Sequence, residues 1–196
     1  MSDIVLRNVS KRFDEKQVLQ DFSHTFREGS FTCIMGPSGG GKTTLLNLLT
    51  GFISPDRGPI DGLPERIAVV FQEDRLCEDF SALTNIRMVT GKKLSDEMIR
   101  RELEELGLSG SIDQPVDELS GGMKRRVAIV RAILYDADLI LFDEASKGLD
   151  EERKKQVLDY IRRKTAGKTV IYITHDPEEA AYFGGDPVTV GNSESE

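Results

Sequence analysis

Residues 36–43 of this chain are Gly-Pro-Ser-Gly-Gly-Gly-Lys-Thr, which fits the phosphate-binding loop pattern GxxxxGK[ST]. The loop follows an apolar segment predicted to be a strand, residues 31–35, and precedes one predicted to be a helix, residues 45–49. In that context the backbone N–H groups of the loop and the N-terminus of the helix both face a bound phosphate. We therefore predict nucleotide binding, with Lys42 directed at the β- and γ-phosphates and the Thr43 hydroxyl at a magnesium ion.

Outward from the loop, short apolar segments alternate with helical patterns, which is typical of an α/β fold. Continuous apolar runs, as expected of parallel strands buried on both faces, occur at residues 67–71, 139–142 and 169–173. Further strands are predicted at residues 4–9 and around 18–26, and helices at 42–50, 95–106, 121–134 and 151–164. We predict a single domain of residues 1–196, with a P-loop NTPase core and a mixed, mainly parallel sheet. An N-terminal antiparallel β subdomain and an inserted helical subdomain, at about residues 74–136, complete it.

Two adjacent carboxylates end one of the apolar runs, in the segment Leu-Ile-Leu-Phe-Asp-Glu at residues 139–144. The ligand crevice of an open α/β sheet lies at the carboxyl ends of its strands, so both acids are expected to face it. We predict that Asp143 holds the magnesium shell and that Glu144 is the general base for an attacking water. The pair alone is equally compatible with two acids in a solvated loop, but the phosphate-binding loop favours the catalytic interpretation.

A second glycine-rich motif, Leu-Ser-Gly-Gly-Met at residues 119–123, begins a helical pattern. Ser120 is a favourable N-cap, and Gly121 and Gly122 leave backbone N–H groups accessible at the helix start. Alone, the motif is compatible with an ordinary capped helix. In a chain that already has one anion site, 78 positions earlier at Lys42, it suggests contact with a nucleotide held by another subunit.

Taken in order, these motifs resemble those of the ATP-binding cassette (ABC) transporter ATPases over nearly the whole chain. The resemblance implies roles for four further residues, Phe13, Gln72, Asp150 and His175. Phe13 would stack on adenine, Gln72 would touch magnesium or the lytic water, and His175 would contact the γ-phosphate. Asp150 belongs to residues 146–150, which resemble the family's D-loop.

The implied cofactors are ATP and Mg²⁺. The predicted catalytic residues are Glu144, His175 and Gln72, and the predicted magnesium ligands are Thr43, Gln72 and Asp143. The predicted nucleotide-binding residues are Phe13, Gly36, Pro37, Ser38, Gly39, Gly40, Gly41, Lys42, Thr43, Thr44, Ser120, Gly121, Gly122 and Asp150.

Three positions depart from the family pattern. Met123 stands where Gln is usual, Ala145 stands where Pro is usual, and Lys147 lies within the D-loop. None of these changes removes a group that contacts phosphate or metal in the family. They therefore bear on transport coupling more than on ATP hydrolysis.

Composition excludes several classes of function. With 26 Lys and Arg against 34 Asp and Glu, the net charge is −8, so no nucleic-acid partner is predicted. Cys33 and Cys77 form no CxxC pair and indicate neither a disulfide framework nor a zinc site. No apolar run approaches the ~20 residues of a membrane-spanning helix, and the N-terminal residues are not expected to act as a signal peptide. Residues 191–196 are small, polar and acidic, and are expected to be disordered.

The resemblance also implies partners and a location. It implies an ATP-dependent homodimer, or a heterodimer with a similar subunit, docked on transmembrane permease subunits at the inner face of the cell membrane. A solute-binding protein would join them in an importer, and residues 71–76 resemble importers of the nitrate, sulfonate and taurine type. A groove for a permease helix is expected beside Gln72. It could be lined by Leu76, Phe80, Leu83, Ile86 and Met88, although the same residues could instead simply pack the inserted lobe.

Two other functions stay open on the sequence alone. A small P-loop kinase is one, although it would have no use for the Leu-Ser-Gly-Gly motif. A nucleotide-dependent binding module with weak hydrolysis is the other, and it is favoured if Met123 and Ala145 disturb the closed, ATP-bound dimer.

Overall fold

The computed structural model describes residues 2–191, so the disorder predicted for residues 192–196 lies outside the described residues. The strands are β1 (Ile4–Phe13), β2 (Lys16–Phe26), β3 (Phe31–Met35), β4 (Ile60–Asp61), β5 (Ile67–Val70), β6 (Leu139–Asp143), β7 (Thr169–Ile173) and β8 (Val188–Thr189). The helices are α1 (Lys42–Leu49), α2 (Ala82–Thr90), α3 (Asp96–Glu105), α4 (Gly121–Leu134), α5 (Glu151–Lys164) and α6 (Pro177–Phe183), with a 3₁₀ helix at Val116–Glu118.

The chain divides into two compact units. The first comprises the described residues up to Ile67, Asp138–Asp143 and those from Gly167 onward. The second comprises Ala68–Ala137 and Glu144–Ala166. Both sheets described below belong to the first unit, and helices α2 to α5 belong to the second.

Strands β2, β1 and β4 form an antiparallel sheet with β1 in the middle. Ile4 pairs with Phe26 of β2, and Leu6 pairs with Ile60 of β4. Ile4 and Leu6 are both buried, because alternate side chains of a strand point to the same face of the sheet. Strand β1 continues to Phe13, past its predicted end, through register shifts that interrupt the alternating pattern. This sheet confirms the predicted N-terminal antiparallel piece.

The core sheet contains β6, β7, β3 and β8 as successive neighbours, and the pairs between them are parallel. All five residues of β6 and of β7 are buried. Burial on both faces explains why these strands are continuous apolar runs in the sequence rather than alternating patterns. Helix α1 contributes Leu45, Leu46, Leu48 and Leu49, each at most 1% exposed. The predicted α/β class is therefore confirmed.

The helices of the second unit begin at capping side chains. Each cap accepts a hydrogen bond from the backbone N–H three residues later, which satisfies one donor that the helix start leaves unpaired. The caps of α2, α3, α4 and α5 are Ser81, Ser95, Ser120 and Asp150. The Tyr160 hydroxyl of α5 donates to the Glu102 carboxylate of α3 at 2.7 Å. Burial and this carboxylate raise the pKa of Tyr160.

The structure differs from the sequence-based prediction in two helices and in the predicted groove for a permease helix. Helices α2 and α6 were not predicted individually, because α2 is rich in β-branched residues and α6 has only seven residues. Ile86 of α2 is fully buried, so its place in a groove open to a permease helix is wrong. Phe80 and Met88 of the same predicted set are exposed, at 47% and 50%.

Candidate nucleotide-binding site

The phosphate-binding loop connects β3 to α1 within the first unit, and close backbone contacts shape it. A Cβ atom at Gly36 would lie 2.0 Å from the Val190 carbonyl oxygen, and one at Gly41 would lie 2.9 Å from that of Val18. Gly41 precedes α1 with a φ of 100° and supplies no side-chain cap. The loop therefore requires glycine for its shape, and the start of α1 keeps its backbone donors for an anion.

Lys42, the first residue of α1, lies over its own loop. Its ammonium group donates to the carbonyl oxygens of Gly36 and Pro37, both at 2.8 Å. The backbone of the glycine-rich loop thus holds a cation, and such loops suit phosphate. The next residue, Thr43, is exposed, whereas Thr44 is buried.

The carboxyl ends of three neighbouring strands meet beside this loop. Asp143 of β6 pairs with Ile173 of β7, and Ile173 pairs with Ile34 of β3. Asp143 is 8% exposed, and the exposed His175 follows β7 by two residues. The first unit therefore brings Asp143, His175 and the phosphate-binding loop to one edge of the sheet, as the sequence predicts for a ligand crevice.

The backbone next to His175 is held by a buried carboxylate. Glu179 of α6 accepts hydrogen bonds from the Thr174 hydroxyl at 2.8 Å and the Tyr172 hydroxyl at 3.1 Å. The Thr174 hydroxyl in turn accepts from the Asp176 N–H at 3.0 Å. These bonds fix the path of the chain on both sides of His175 and leave its imidazole at the surface.

Phe13 lies at the tip of the hairpin between β1 and β2. It pairs with Lys16 across a two-residue turn, and its ring is 44% exposed. The Lys11 ammonium lies 5.6 Å from the ring centroid, within the range of a cation–π interaction. The exposed ring offers a face for stacking rather than a contribution to the core.

The second unit carries the Leu-Ser-Gly-Gly motif at the start of α4. The Ser120 hydroxyl accepts from the Met123 N–H at 3.3 Å, so it is a helix cap as predicted. A Cβ at Gly121 would meet no atom within 4 Å, whereas one at Gly122 would lie 3.1 Å from the Leu149 side chain. Ser120 and Gly121 are therefore accessible at a helix N-terminus.

Glu144 and Asp150 stand at the two ends of the turn that leads into α5. Glu144 has a φ of 50°, in the left-handed region, and its carboxylate accepts a hydrogen bond from the Lys147 ammonium at 2.7 Å. Asp150 caps α5 by accepting from the Arg153 N–H at 2.8 Å. The sequence did not predict this capping role, and a role of Asp150 toward nucleotide stays a prediction.

Gln72 is exposed, and its backbone is held by an arginine that the sequence reasoning missed. The Arg125 guanidinium of α4 donates to the carbonyl oxygens of Phe71 and Gln72. It also forms an ion pair of 3.2 Å with Asp74. Burial raises the pKa of Asp74, and the positive charge of Arg125 offsets only part of that increase. Arg131, six residues later in the same helix, donates to the carbonyl oxygens of Asp74 and Arg75. The sequence feature that could have pointed to Arg125 and Arg131 is the presence of basic residues within the apolar pattern of α4.

Replacing Arg125 with alanine is expected to lower the free energy of unfolding by ~3 kcal/mol, since it leaves a partly buried carboxylate and two carbonyl groups without their partner. Arg125 is 5% exposed. The control is Arg101→Ala on the exposed face of α3, for which we expect a change within about 0.5 kcal/mol. Urea unfolding with linear extrapolation measures both variants. Equal unfolding midpoints for the two would show that Arg125 is dispensable.

The donor set of the first unit suits magnesium better than a softer metal. Among residues 2–191, no three His, Cys, Asp or Glu side chains converge on a point that could hold a metal ion. Mg²⁺ bound with nucleotide needs no such cage, because phosphates and water supply most of its ligands beside one or two protein oxygens. The Thr43 hydroxyl and the Asp143 carboxylate are oxygen donors of that kind.

A glycine-rich loop between a parallel strand and a helix, with an acid at the end of a nearby strand, defines the chain as a P-loop nucleotide-binding protein. The model of the ABC transporter family matches residues 19–147. The chain belongs to the ABC transporter family.

Individual relatives agree with this assignment. The chain is 36% identical to the taurine import ATP-binding protein of Jannaschia sp. (strain CCS1), over 94% of this chain and 76% of that one. It is also 36% identical to the Nod factor export ATP-binding protein I of Burkholderia lata, over 92% of this chain and 65% of that one. The bacterial ABC transporter cassette MJ0796, solved as a dimer, has a TM-score of 0.84 at 27% identity and covers 96% of this chain and 94% of its own.

Across the described part of the chain, the helices are too short or too polar to cross a membrane.

Proposed function

We propose that this chain is the ATP-hydrolysing subunit of an ABC importer and acts through separate membrane subunits. The observation that carries the proposal is the alignment of three neighbouring parallel strands at their carboxyl ends. Asp143 pairs with Ile173, and Ile173 pairs with Ile34, so β6, β7 and β3 all end beside the phosphate-binding loop. Family membership supports ATP as the nucleotide. The Leu-Ser-Gly-Gly motif favours this function over that of a P-loop kinase.

The chain's own residues divide the work on ATP. Backbone N–H groups of residues 38, 39 and 41 and of the first turn of α1 donate to phosphate oxygens, and Lys42 neutralises their charge. Thr43 and Asp143 would hold Mg²⁺, with Gln72 as a further ligand. When bound, the ion offsets the negative charge that develops on the phosphate oxygens during transfer.

Glu144 and His175 act on the attacking water. Glu144 directly follows Asp143 in the chain and accepts the proton of the water that attacks the γ-phosphate. His175 orients that water and contacts the γ-phosphate. Phe13 stacks on adenine, so the base is recognised by an exposed ring rather than by an enclosed pocket.

The direction of transport is inward in this proposal. The similarity of residues 71–76 to importers of the nitrate, sulfonate and taurine type supports it, as does the taurine-import relative. The chain would lie at the inner face of the membrane, bound to permease subunits and supplied by a solute-binding protein. Cells that lack the chain should take up less radiolabelled taurine or a related sulfonate. A defect in efflux instead would contradict an importer.

Lys42→Ala is expected to weaken ATP binding on the order of 10- to 100-fold, because a charged donor to the phosphates is lost. Isothermal titration with MgATP measures the effect, and phosphate release at saturating ATP measures hydrolysis. The control is Lys92→Ala, an exposed lysine in the turn after α2. If Lys42→Ala binds ATP as tightly as this control, the loop is not the phosphate site and the proposed function fails.

A further inference from the structure

A lysine of the D-loop contacts the carboxylate that the proposed function assigns as general base. The Lys147 ammonium lies 2.7 Å from Oε2 of Glu144, three residues earlier in the chain. The Glu144 side chain is 17% exposed and that of Lys147 is 48% exposed. The family pattern does not predict a lysine here, and the proposed mechanism does not use one.

The turn at residues 144–147 does not depend on this ion pair for its backbone conformation. The Lys147 N–H donates to the Glu144 carbonyl oxygen at 3.0 Å, which is the main-chain bond of a four-residue turn. Between them, Ala145 is fully buried and Ser146 is 6% exposed. Main-chain bonding and burial therefore already set the fold of the turn, including the left-handed φ of 50° at Glu144. The ion pair acts on the side chains rather than on the fold.

An ammonium on one carboxylate oxygen restricts the torsions of the glutamate side chain. Charge-assisted hydrogen bonds of this kind are short and directional, so they set the plane of the carboxylate. A general base works only when its oxygen lies within hydrogen-bond reach of the proton that it accepts, and small misplacements are costly in rate. Because Lys147 is half exposed, solvent screens its charge, and its main effect is on orientation.

We propose that Lys147 is a positioning residue that holds the Glu144 carboxylate in the orientation required to accept the proton of the attacking water. The proposal rests on the proposed function, in which Glu144 is the general base. In this role, Lys147 acts through the Glu144 carboxylate rather than directly on the water or the nucleotide.

The test compares variants at Lys147 by ATP hydrolysis and by ATP binding. Lys147→Met keeps an unbranched side chain and removes the charge. We expect kcat to fall roughly 10-fold, the lower end of the effect of removing an orienting partner, with KM and the Kd for MgATP changed less than about 2-fold. Lys147→Arg should restore most of kcat, because it can donate to the same oxygen. Lys155→Met, at an exposed position of α5, is the matched control and should behave as the unmodified chain.

A double-mutant cycle separates positioning from a merely structural role. In the Glu144→Gln background, Lys147→Met should cause no further loss of kcat, because the orientation of a carboxylate no longer matters. The thermal unfolding midpoint should be the same for Lys147→Met and Lys155→Met. An additional loss in that background, or a lowered midpoint that accounts for the lost activity, would overturn the proposal.

The remaining outcomes distinguish this inference from the proposed function. If Glu144→Gln abolishes turnover and Lys147→Met leaves kcat unchanged, the positioning role is wrong and the proposed function stands. If Lys147→Met raises kcat, the lysine restrains the carboxylate rather than positioning it. If Glu144→Gln is itself fully active, the assignment of Glu144 as general base in the proposed function fails first, and the role of Lys147 fails with it.

Discussion

Glu144→Gln is expected to lower the rate of ATP hydrolysis by ~10²–10⁴-fold, the usual contribution of a general base, with ATP binding retained. Glutamine has nearly the shape of glutamate but cannot accept the proton of the attacking water. Single-turnover release of phosphate measures the chemical step, and titration with MgATP measures binding. Because the Glu144 side chain is only 17% exposed, the neutral replacement should not reduce the stability of the fold.

The control for this prediction is Glu152→Gln, at an exposed position in the first turn of α5. It removes one negative charge from the same unit, so any general effect of net charge appears in both variants. Hydrolysis at the unmodified rate by Glu144→Gln would exclude this residue as the base. Loss of ATP binding together with turnover would instead indicate that the substitution disturbs the phosphate site.

Several strands and helices, and the phosphate-binding loop, were predictable because their signals are local. The apolar runs of β6 and β7 follow from burial on both faces, and α4 and α5 have the predicted bounds. The phosphate-binding loop requires particular residue types in a fixed order, so it can be identified from the sequence without knowledge of the tertiary structure. The carboxyl edge of the sheet then followed from the rule that parallel strands end at the same side.

Other features depended on contacts between residues far apart in sequence. Arg125 holds the Gln72 carbonyl across 53 positions, and no local pattern distinguishes it from a solvated arginine of a helix. The burial of Ile86 depends in the same way on how α2 packs on its neighbours. Lys147 and Asp150 are local, but their roles depend on a backbone path through Glu144 at positive φ, which residue type does not indicate.

Ser120→Arg is expected to abolish an ATP-dependent dimer that Glu144→Gln makes long-lived. Ser120 and the neighbouring Gly121 are exposed at the start of α4, where a Cβ at Gly121 would meet open space. In a head-to-tail pair, this accessible helix start would cover the γ-phosphate bound by the partner's phosphate-binding loop. Blocking hydrolysis should therefore trap the dimer, since ATP bridges the two subunits.

The symmetry of that dimer enlarges the effect, because one substitution adds a bulky side chain to two composite sites at once. We expect at least ~10²-fold weaker association for Glu144→Gln with Ser120→Arg than for Glu144→Gln alone, measured by light scattering on a sizing column with MgATP. Ser95→Arg is the matched control, since Ser95 is the exposed cap of α3 and accepts from Met98 as Ser120 accepts from Met123. Both arginine variants lose one helix cap, worth ~1 kcal/mol, so a difference between them reports on the α4 start itself. Dimerisation that survives Ser120→Arg, or that Ser95→Arg abolishes equally, would place the subunit contact elsewhere.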